Sequence, residues 1–203
     1  MKNAHLWHGI LLAAGRGRRF DASGERNKLM QVLPSGMTVA ASSARNLLAI
    51  LPAATAVIPP HNEALSSLLN AAGCNITICN DAQNGLAHSL VHALQQTSEH
   101  CPGWVIALAD MPFVASKSIA AVVQALENGA DIVVPTYQGK RGNPVGFSRK
   151  YLPQLLALTG DQGARNLLKA YPVTEVPVND IGILNDIDVP HDLPASSHDF
   201  KAL

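Results

Sequence analysis

The sequence predicts a three-layer α/β domain, with helices on both faces of a mostly parallel central sheet. Three observations lead there. Apolar runs alternate with amphipathic helical stretches at intervals of about 20 to 30 residues, the rhythm of repeated βα units. Hydrophobic residues reach 47% while aromatics are only 4%, a mixture rich in Ala, Leu and Val that suits helices packed on a buried sheet. The apolar run Trp104–Leu108 is continuous, as in a strand covered on both faces.

Ile10–Ala14 reads as the first strand. Thr38–Leu51 follows as a helix: Val39, Ala40, Ala44, Leu47, Leu48 and Leu51 recur on one face, and Pro52 ends it. Thr55–Ile58 is the second strand, stopped by Pro59 and Pro60. Glu63–Ala72 is helical, with Gly73 as its cap. Cys74–Cys79 is the third strand and Leu86–Thr97 the next helix. Trp104–Leu108 is the fourth strand; a helix then runs from Ser116 or Lys117 to Glu127, where Asn128-Gly129 stops it. Ile132–Val134 is the fifth strand. The final third is less regular. Residues 137–142 read as a hairpin turn over a site, Leu152–Leu158 as a helix, and Asp161–Arg165 as the opening of a short helix to Ala170. Thr174–Val178 and Ile183-Leu184 read as short strands, and Pro194 onward as a fraying tail. The length of 203 residues fits one domain, 1–203, with a core of about 8–193 and a tail of 194–203.

Fifteen basic and fifteen acidic residues leave no net charge, so no global field would draw in nucleic acid or an anionic lipid surface. Basic and aromatic residues are not interleaved in the broad stripe that a nucleic-acid binder would need. No run reaches the roughly 18 apolar residues of a membrane span. The first residues, including His5 and His8, lack the apolar core of a signal peptide. Cys74, Cys79 and Cys101 have no metal-ligand spacing and an odd count, so buried thiols in a reducing, cytoplasmic setting are expected. Cys74 and Cys79 should face opposite sides of their strand.

Charge is concentrated locally. Arg16, Arg18, Arg19, Arg26 and Lys28 crowd one short stretch, against Asp21 and Glu25. They follow the first strand directly, at the ligand-binding end of an open sheet. There the backbone of Gly15-Arg16-Gly17 and the forked guanidinium groups can wrap phosphate oxygens, with Lys28 as a point charge. The stretch is no dinucleotide fingerprint, because Phe20 stands where a third glycine would; nor is it a Walker A loop, since no Lys-Ser or Lys-Thr follows a suitable glycine.

Asp110 follows the central strand and can hold Mg2+ through oxygen. One carboxylate holds magnesium poorly. Asp186 and Asp188, at i and i+2 of an extended segment, point the same way and supply partners. Convergence with Asp110 would allow metal-assisted, in-line displacement on a nucleoside triphosphate with no covalent nucleophile. The plainer readings are a solvated basic loop and polar turns at the acids.

Asn84-Gly85 and Ser89 begin a helix whose N-terminus can meet a phosphate or a base edge. His88 lies in the same first turn and is a candidate contact to base or acceptor. His88 and His92 share one helix face, but no Glu stands between them as in HExxH, so zinc is not expected. His5 and His8 read as surface or edge residues, and His61 as a residue at a strand exit. With the donor phosphates assigned to the arginine turn, Arg141, Asn143, Asp161, Gln162 and Arg165 are candidates for the acceptor side. Trp7 and Trp104 read as core or shell.

Leu12–Phe20 with Asn27-Lys28-Leu29, Leu108–Phe113, Arg141–Val145, Leu158–Arg165 and Asp186–Leu193 form an ordered set. That set resembles the MobA-like nucleotidyltransferases, specifically the molybdenum cofactor cytidylyltransferase group, from about Ile10 to Leu193. The resemblance implies a Rossmann-like nucleotidyltransferase fold. It implies transfer of CMP from CTP to the terminal phosphate of molybdenum-carrying molybdopterin, with pyrophosphate as co-product and Mg2+ as cofactor. A xanthine dehydrogenase-class enzyme would be a transient client. By position, Ala13, Ala14, Gly15, Arg16, Gly17, Arg18, Arg19 and Lys28 would hold the nucleotide. Asn80, Gly85 and Ser89 would lie near base and ribose. Arg19, Lys28 and Asp110 would carry catalysis, and Asp110 with Asp186 or Asp188 would bind the metal.

Ala13-Ala14-Gly15 resembles the cytidylyl version, since the guanylyl version usually carries two glycines there. Three departures bear on base and acceptor. Asn143 stands where relatives often have His, Asn80-Asp81 and Gly85–Ser89 differ from the usual Asn-Pro and Gly-Met-Ser-Ser-Ser, and the Phe20–Lys28 loop is longer. Two alternatives stay open: a related transferase using GTP or another phosphorylated acceptor, and a non-catalytic molybdenum cofactor-binding chaperone. The three acids argue against the chaperone, because a carrier of an anionic cofactor has little use for clustered carboxylates.

Overall fold

The computed structural model describes residues 6–15, 17–97, 101–160 and 163–194. Its strands are β1 (His8–Leu12), β2 (Ala54–Ile58), β3 (Asn75–Ile78), β4 (Gly103–Leu108), β5 (Ile132–Tyr137), β6 (Lys140–Arg141), β7 (Val145–Ser148) and β8 (Thr174–Pro177). Its helices are α1 (Val39–Leu48), α2 (Glu63–Ala71), α3 (Leu86–Gln96), α4 (Ser116–Glu127), α5 (Leu152–Leu156) and α6 (Arg165–Ala170). The strands form one sheet in the order β3-β2-β1-β4-β7-β5-β6, with β8 also paired to β5. β3, β2, β1 and β4 run parallel, as do β5 and β8. β7 is antiparallel to both β4 and β5. This is the expected α/β Rossmann-like architecture, with a mixed, mostly parallel sheet.

Alternation within each strand feeds two cores. Leu11, Ala56, Val105 and Val133 face the layer of α1, α2 and α4; Ile10, Leu12, Val57, Ile106, Ile132 and Val134 face the layer of α3, α5 and α6. Every residue of β1 and β2 is buried. Covered faces on both sides therefore erase the polar half of the usual two-residue period. Each such Val, Ile or Leu side chain contributes about 1.5–3 kcal/mol through burial. Cys74 and Cys79 fall in opposite layers, as strand geometry requires. α1 starts where Thr38 accepts a hydrogen bond from the Ala41 N–H, a cap typically worth about 1 kcal/mol.

Four local expectations change. β1 ends at Leu12, two residues short of Ala14, because its ladder to both neighbours ends there; Ala13 then donates its N–H to the Val57 carbonyl at 2.9 Å. His8 is not at a surface or edge. It lies within β1 at 8% exposure, its Nε2 hydrogen-bonded to Thr55 Oγ1 at 2.9 Å. β7 is a strand hidden in the sequence by Pro144 and Gly146. Gly146 is needed because a Cβ there would lie 2.7 Å from Leu126 on α4. Ile183-Leu184 belongs to a 3-10 helix, Ile181–Leu184, rather than a strand; Asp180 caps it by accepting from the Gly182 N–H. His5 and the tail from residue 195 lie outside the described residues. Among the described residues, no helix is long and apolar enough to cross a membrane.

Candidate active site

Two clefts open side by side above the sheet and share the side chains of Leu12, Leu86 and Leu108. The first has a volume of about 340 Å3 and is lined by Ala13, Gly15, Gly17, Arg18, Arg19, Lys28, Leu29 and the three acids Asp110, Asp186 and Asp188. Nine residues foreseen for nucleotide and metal thus meet in one place, from three distant parts of the chain. Arg16 lies outside the described residues.

Local structure fixes each contributor. Gly17 adopts φ 61°, a left-handed conformation that favours glycine, and its carbonyl accepts from the N–H groups of Phe20 and Asp21. Phe20 is buried, and the Arg26 guanidinium sits 5.5 Å from its ring centroid. The Asp21 carboxylate accepts from the Ser23 hydroxyl and from the N–H groups of Ser23 and Arg26, which holds its pKa below the ordinary value. The loop is therefore closed on itself. Its far end is a single 3-10 turn, Lys28–Met30, capped when Asn27 accepts from the Leu29 N–H. That turn buries Lys28 to 8% exposure and aims its ammonium at the acids.

Asp110 leaves β4 after Ala109, whose N–H donates to the Leu12 carbonyl. Its own carbonyl accepts from the Ile187 N–H at 2.9 Å, which draws the 186–188 segment alongside. Ile187 is fully buried between Asp186 and Asp188, so both acids turn toward the cleft. Lys28 Nζ lies 2.6 Å from Asp110 Oδ2 and 3.2 Å from Asp188 Oδ1, while Arg19 reaches Asp188 Oδ2 at 2.7 Å. Burial alone would lower the Lys28 pKa; Asp110 and Asp188 outweigh it, and the net shift is upward. Partial burial and then the Asp188 and Asp110 charges push the Asp186 pKa above its ordinary value.

One oxygen from each acid lies within 4.8 Å of the others. An all-oxygen set of this kind suits a hard divalent cation such as Mg2+ or Mn2+. The ammonium already drawn among these oxygens is independent testimony that the spot attracts positive charge. Among the described residues, this is the one grouping of three or more metal-capable side chains.

The second cleft also holds about 340 Å3 and differs in character. Leu90, Ile106, Val145 and Leu168 join the shared leucines as its floor and walls, while Arg141, Asn143, Arg165 and Lys169 stand around it. Arg141 Nε pairs with Glu175 at 2.7 Å. Gly163 admits the close approach of Leu86. Three foreseen acceptor residues, Arg141, Asn143 and Arg165, line this cleft. Asp161 and Gln162 lie outside the described residues. Lys169 was not foreseen; its place one helical turn after Arg165 was the available signal.

Five foreseen residues sit elsewhere. Ala14 is buried in the layer of α3, α5 and α6. Gly85 is the N-cap of α3 with φ 118°, and Ser89 is 2% exposed and hydrogen-bonded to the Cys79 thiol. Asn80 and His88 line a separate recess of about 250 Å3 with Asp81, His92 and Gln95. His92 Nε2 is hydrogen-bonded to Thr77 there, whereas His88 Nδ1 is buried with no hydrogen-bond partner among the described residues. His61 is exposed at a left-handed position after β2, and neither cleft includes it.

Comparison with known proteins agrees with this architecture. The sequence profile of the MobA-like NTP transferase domain matches residues 9–176. Purine catabolism protein PucB of Bacillus subtilis is 28% identical over 196 residues, covering 91% of this chain and 92% of its own. The crystal structure of Rv0371c from Mycobacterium tuberculosis has a TM-score of 0.81 at 24% identity, over 94% of this chain and 96% of its own. Its complex with manganese gives 0.73 at 24% identity over 95% of each chain. The inositol-1-phosphate CTP transferase of T. maritima shares the fold, with a TM-score of 0.71 at 13% identity over 95% of this chain and 93% of its own. Because the matched profile runs from β1 into β8, the chain belongs to the MobA-like NTP transferase family.

Proposed function

We propose that this protein joins a nucleoside monophosphate, taken from an NTP, to the phosphate of a small-molecule acceptor and releases pyrophosphate. The observation that carries this reading is the pair of adjoining clefts: one polar and doubly charged in sign, the other apolar with cations about it, meeting at Leu12, Leu86 and Leu108. Two substrates bound side by side would present an acceptor oxygen to the α-phosphorus. Attack forms the new P–O bond as the α–β bridge breaks, and the electron pair leaves with pyrophosphate. No enzyme nucleophile is required.

The residues would divide the work by charge. Arg18, Arg19 and Lys28 hold the nonbridging oxygens of the donor and neutralise charge growing on the leaving group. Asp110, Asp186 and Asp188 would hold a divalent cation, whose contribution is to polarise the α-phosphate and offset charge on pyrophosphate. Arg165 and Lys169 would draw the acceptor's phosphate inward, and the shared leucines would keep water from the reacting atoms.

In the finer form of this proposal, the donor is CTP and the acceptor molybdenum-loaded molybdopterin. The product is then the cytosine dinucleotide cofactor for a xanthine dehydrogenase-class client. Two features support it. Ala13-Ala14-Gly15, with one glycine where the guanylyl version usually carries two, follows β1 at the donor cleft that Ala13 and Gly15 line. The acceptor cleft offers mainly apolar walls, which suit a flat ring system better than the many hydroxyls of a polyol phosphate. The name of the Bacillus relative, a purine catabolism protein, is in keeping with a purine-oxidising client. A GTP donor or a different phosphorylated acceptor is the second reading, since the fold is shared with an inositol-1-phosphate CTP transferase.

The test is pyrophosphate release from CTP, GTP, ATP and UTP, each with molybdenum-loaded molybdopterin, inositol phosphate or no acceptor. Release that needs both an NTP and a phosphorylated acceptor is expected, strongest for CTP with the molybdopterin. Preference for GTP or for the polyol phosphate would overturn the finer form alone. Silence for every pair would overturn the transferase reading.

A further inference from the structure

Asp180 lines neither cleft, yet its carboxylate joins the two segments that carry the acids. Oδ2 accepts from the Ala115 N–H at 2.9 Å and from the Ser118 hydroxyl at 2.6 Å. Oδ1 accepts from the Gly182 N–H at 3.0 Å. Ala115 is the N-cap of α4 and has no side chain able to cap it. Asp180, from a distant part of the chain, instead accepts from the N–H of that N-cap residue and from the Ser118 hydroxyl in the first turn, and it sets negative charge where the helix dipole favours it.

Both tied segments lead directly to metal-capable residues. Ala115 closes the loop that begins at Asp110, and Asp180 opens the run that ends at Asp186 and Asp188. The joint between them is tight. A Cβ on Gly182 would lie 2.1 Å from the Phe113 carbonyl oxygen, so the two backbones touch. From the other side, Asn46 Nδ2 on α1 donates to the carbonyls of Pro112 at 3.1 Å and Val114 at 3.0 Å. The loop after Asp110 is thus held by one anchor in α1 and by one at Asp180.

We propose that Asp180 is a positioning residue of the metal centre: its carboxylate ties the start of α4 to the 181–184 turn and so sets the spacing of Asp110 from Asp186 and Asp188. This rests on the metal reading of those three acids. An amide at position 180 keeps the size but offers one acceptor oxygen where two are used, so Asp180→Asn breaks one side of the tie. Metal sites typically lose about 10–100-fold in affinity when an outer partner is removed.

The measurement is Mn2+ binding by electron paramagnetic resonance on nucleotide-free protein, run beside thermal melting and the Mg2+ dependence of pyrophosphate release. Asp180→Asn is expected to melt cooperatively, to bind Mn2+ about tenfold more weakly, and to need proportionately more Mg2+ for half-maximal release. Saturating metal should then restore most of the turnover. Unchanged Mn2+ affinity in the folded variant, or lost turnover that metal does not restore, overturns the role of Asp180 and leaves the metal assignment standing. Failure of the unsubstituted protein to bind Mn2+ overturns both. If Asp180→Asn does not fold, Ser118→Ala removes a single bond of the three. A loss of about threefold in Mn2+ affinity is then expected, and equal binding overturns the proposal.

Discussion

Lys28 stands among carboxylates that would otherwise repel one another, and in the proposed reaction it also receives the triphosphate. It cannot serve both partners fully at once. Arrival of a divalent cation among Asp110, Asp186 and Asp188 would release the ammonium toward the donor's phosphates, so metal and nucleotide should bind with positive coupling. Lys28→Met separates the two roles. Removal of the competing positive charge is expected to tighten Mn2+ binding in nucleotide-free protein by about tenfold while weakening NTP binding; calorimetry on both ligands checks the opposite signs. Asp110→Asn should act differently. Loss of a charged ligand at the reacting phosphate is expected to cost about 100- to 1000-fold in turnover, with the melting temperature little changed because Lys28 keeps Asp188 as a partner. Near-normal pyrophosphate release from a folded Asp110→Asn protein would remove this residue from the chemistry.

At the scale of elements, β1 carries both the site and a pH dependence. Its first residue, His8, is buried against Thr55 of β2, and burial lowers its pKa from the ordinary 6.5. The unfolded chain therefore binds the proton more readily than the folded one. Stability from this group is full above pH 6.5 and is lost as pH falls through the lowered folded value. Melting curves should show that decline, and His8→Gln should flatten it. A second element-scale test concerns the turn before β7. A Cβ on Gly142 would lie 2.3 Å from the Ile183 carbonyl oxygen, so Gly142→Ala must push the 181–184 turn aside. The expected cost is about 1–3 kcal/mol, or roughly 2–10 °C in Tm for a chain of this size, with weaker Mn2+ binding because the acids travel with that turn. Such dependencies explain what could be read in advance. The strands β1, β2 and β4 are legible because sheet residues covered on both faces must all be apolar. The acids at 186 and 188 are legible because extended spacing turns them to one side. β7 was not, since its glycine answers to α4, a partner in space rather than in sequence. Nor was Asp180, whose role exists only once two distant segments touch.

The whole molecule carries two clefts that meet at a thin apolar wall of Leu12, Leu86 and Leu108, and in the proposed reaction this makes substrate affinities separable. Arg19 lines only the cleft proposed for the donor, and Lys169 and Arg165 only the cleft proposed for the acceptor, whereas Leu86 belongs to both. Arg19→Ala should therefore raise the KM for NTP and leave that for the acceptor nearly unaltered; Lys169→Ala should do the reverse. Each exposed cation lost is expected to cost about 3- to 10-fold in the KM it governs, in line with one charge-assisted hydrogen bond. Leu86→Ala should raise both KM values and also lower kcat, because the wall it forms fixes the angle between the attacking oxygen and the leaving pyrophosphate. Steady-state kinetics with each substrate varied in turn distinguishes the three patterns. If Arg19→Ala and Lys169→Ala instead raised both KM values equally, the two clefts would be one site, and the assignment of donor and acceptor to separate halves of the sheet edge would fall.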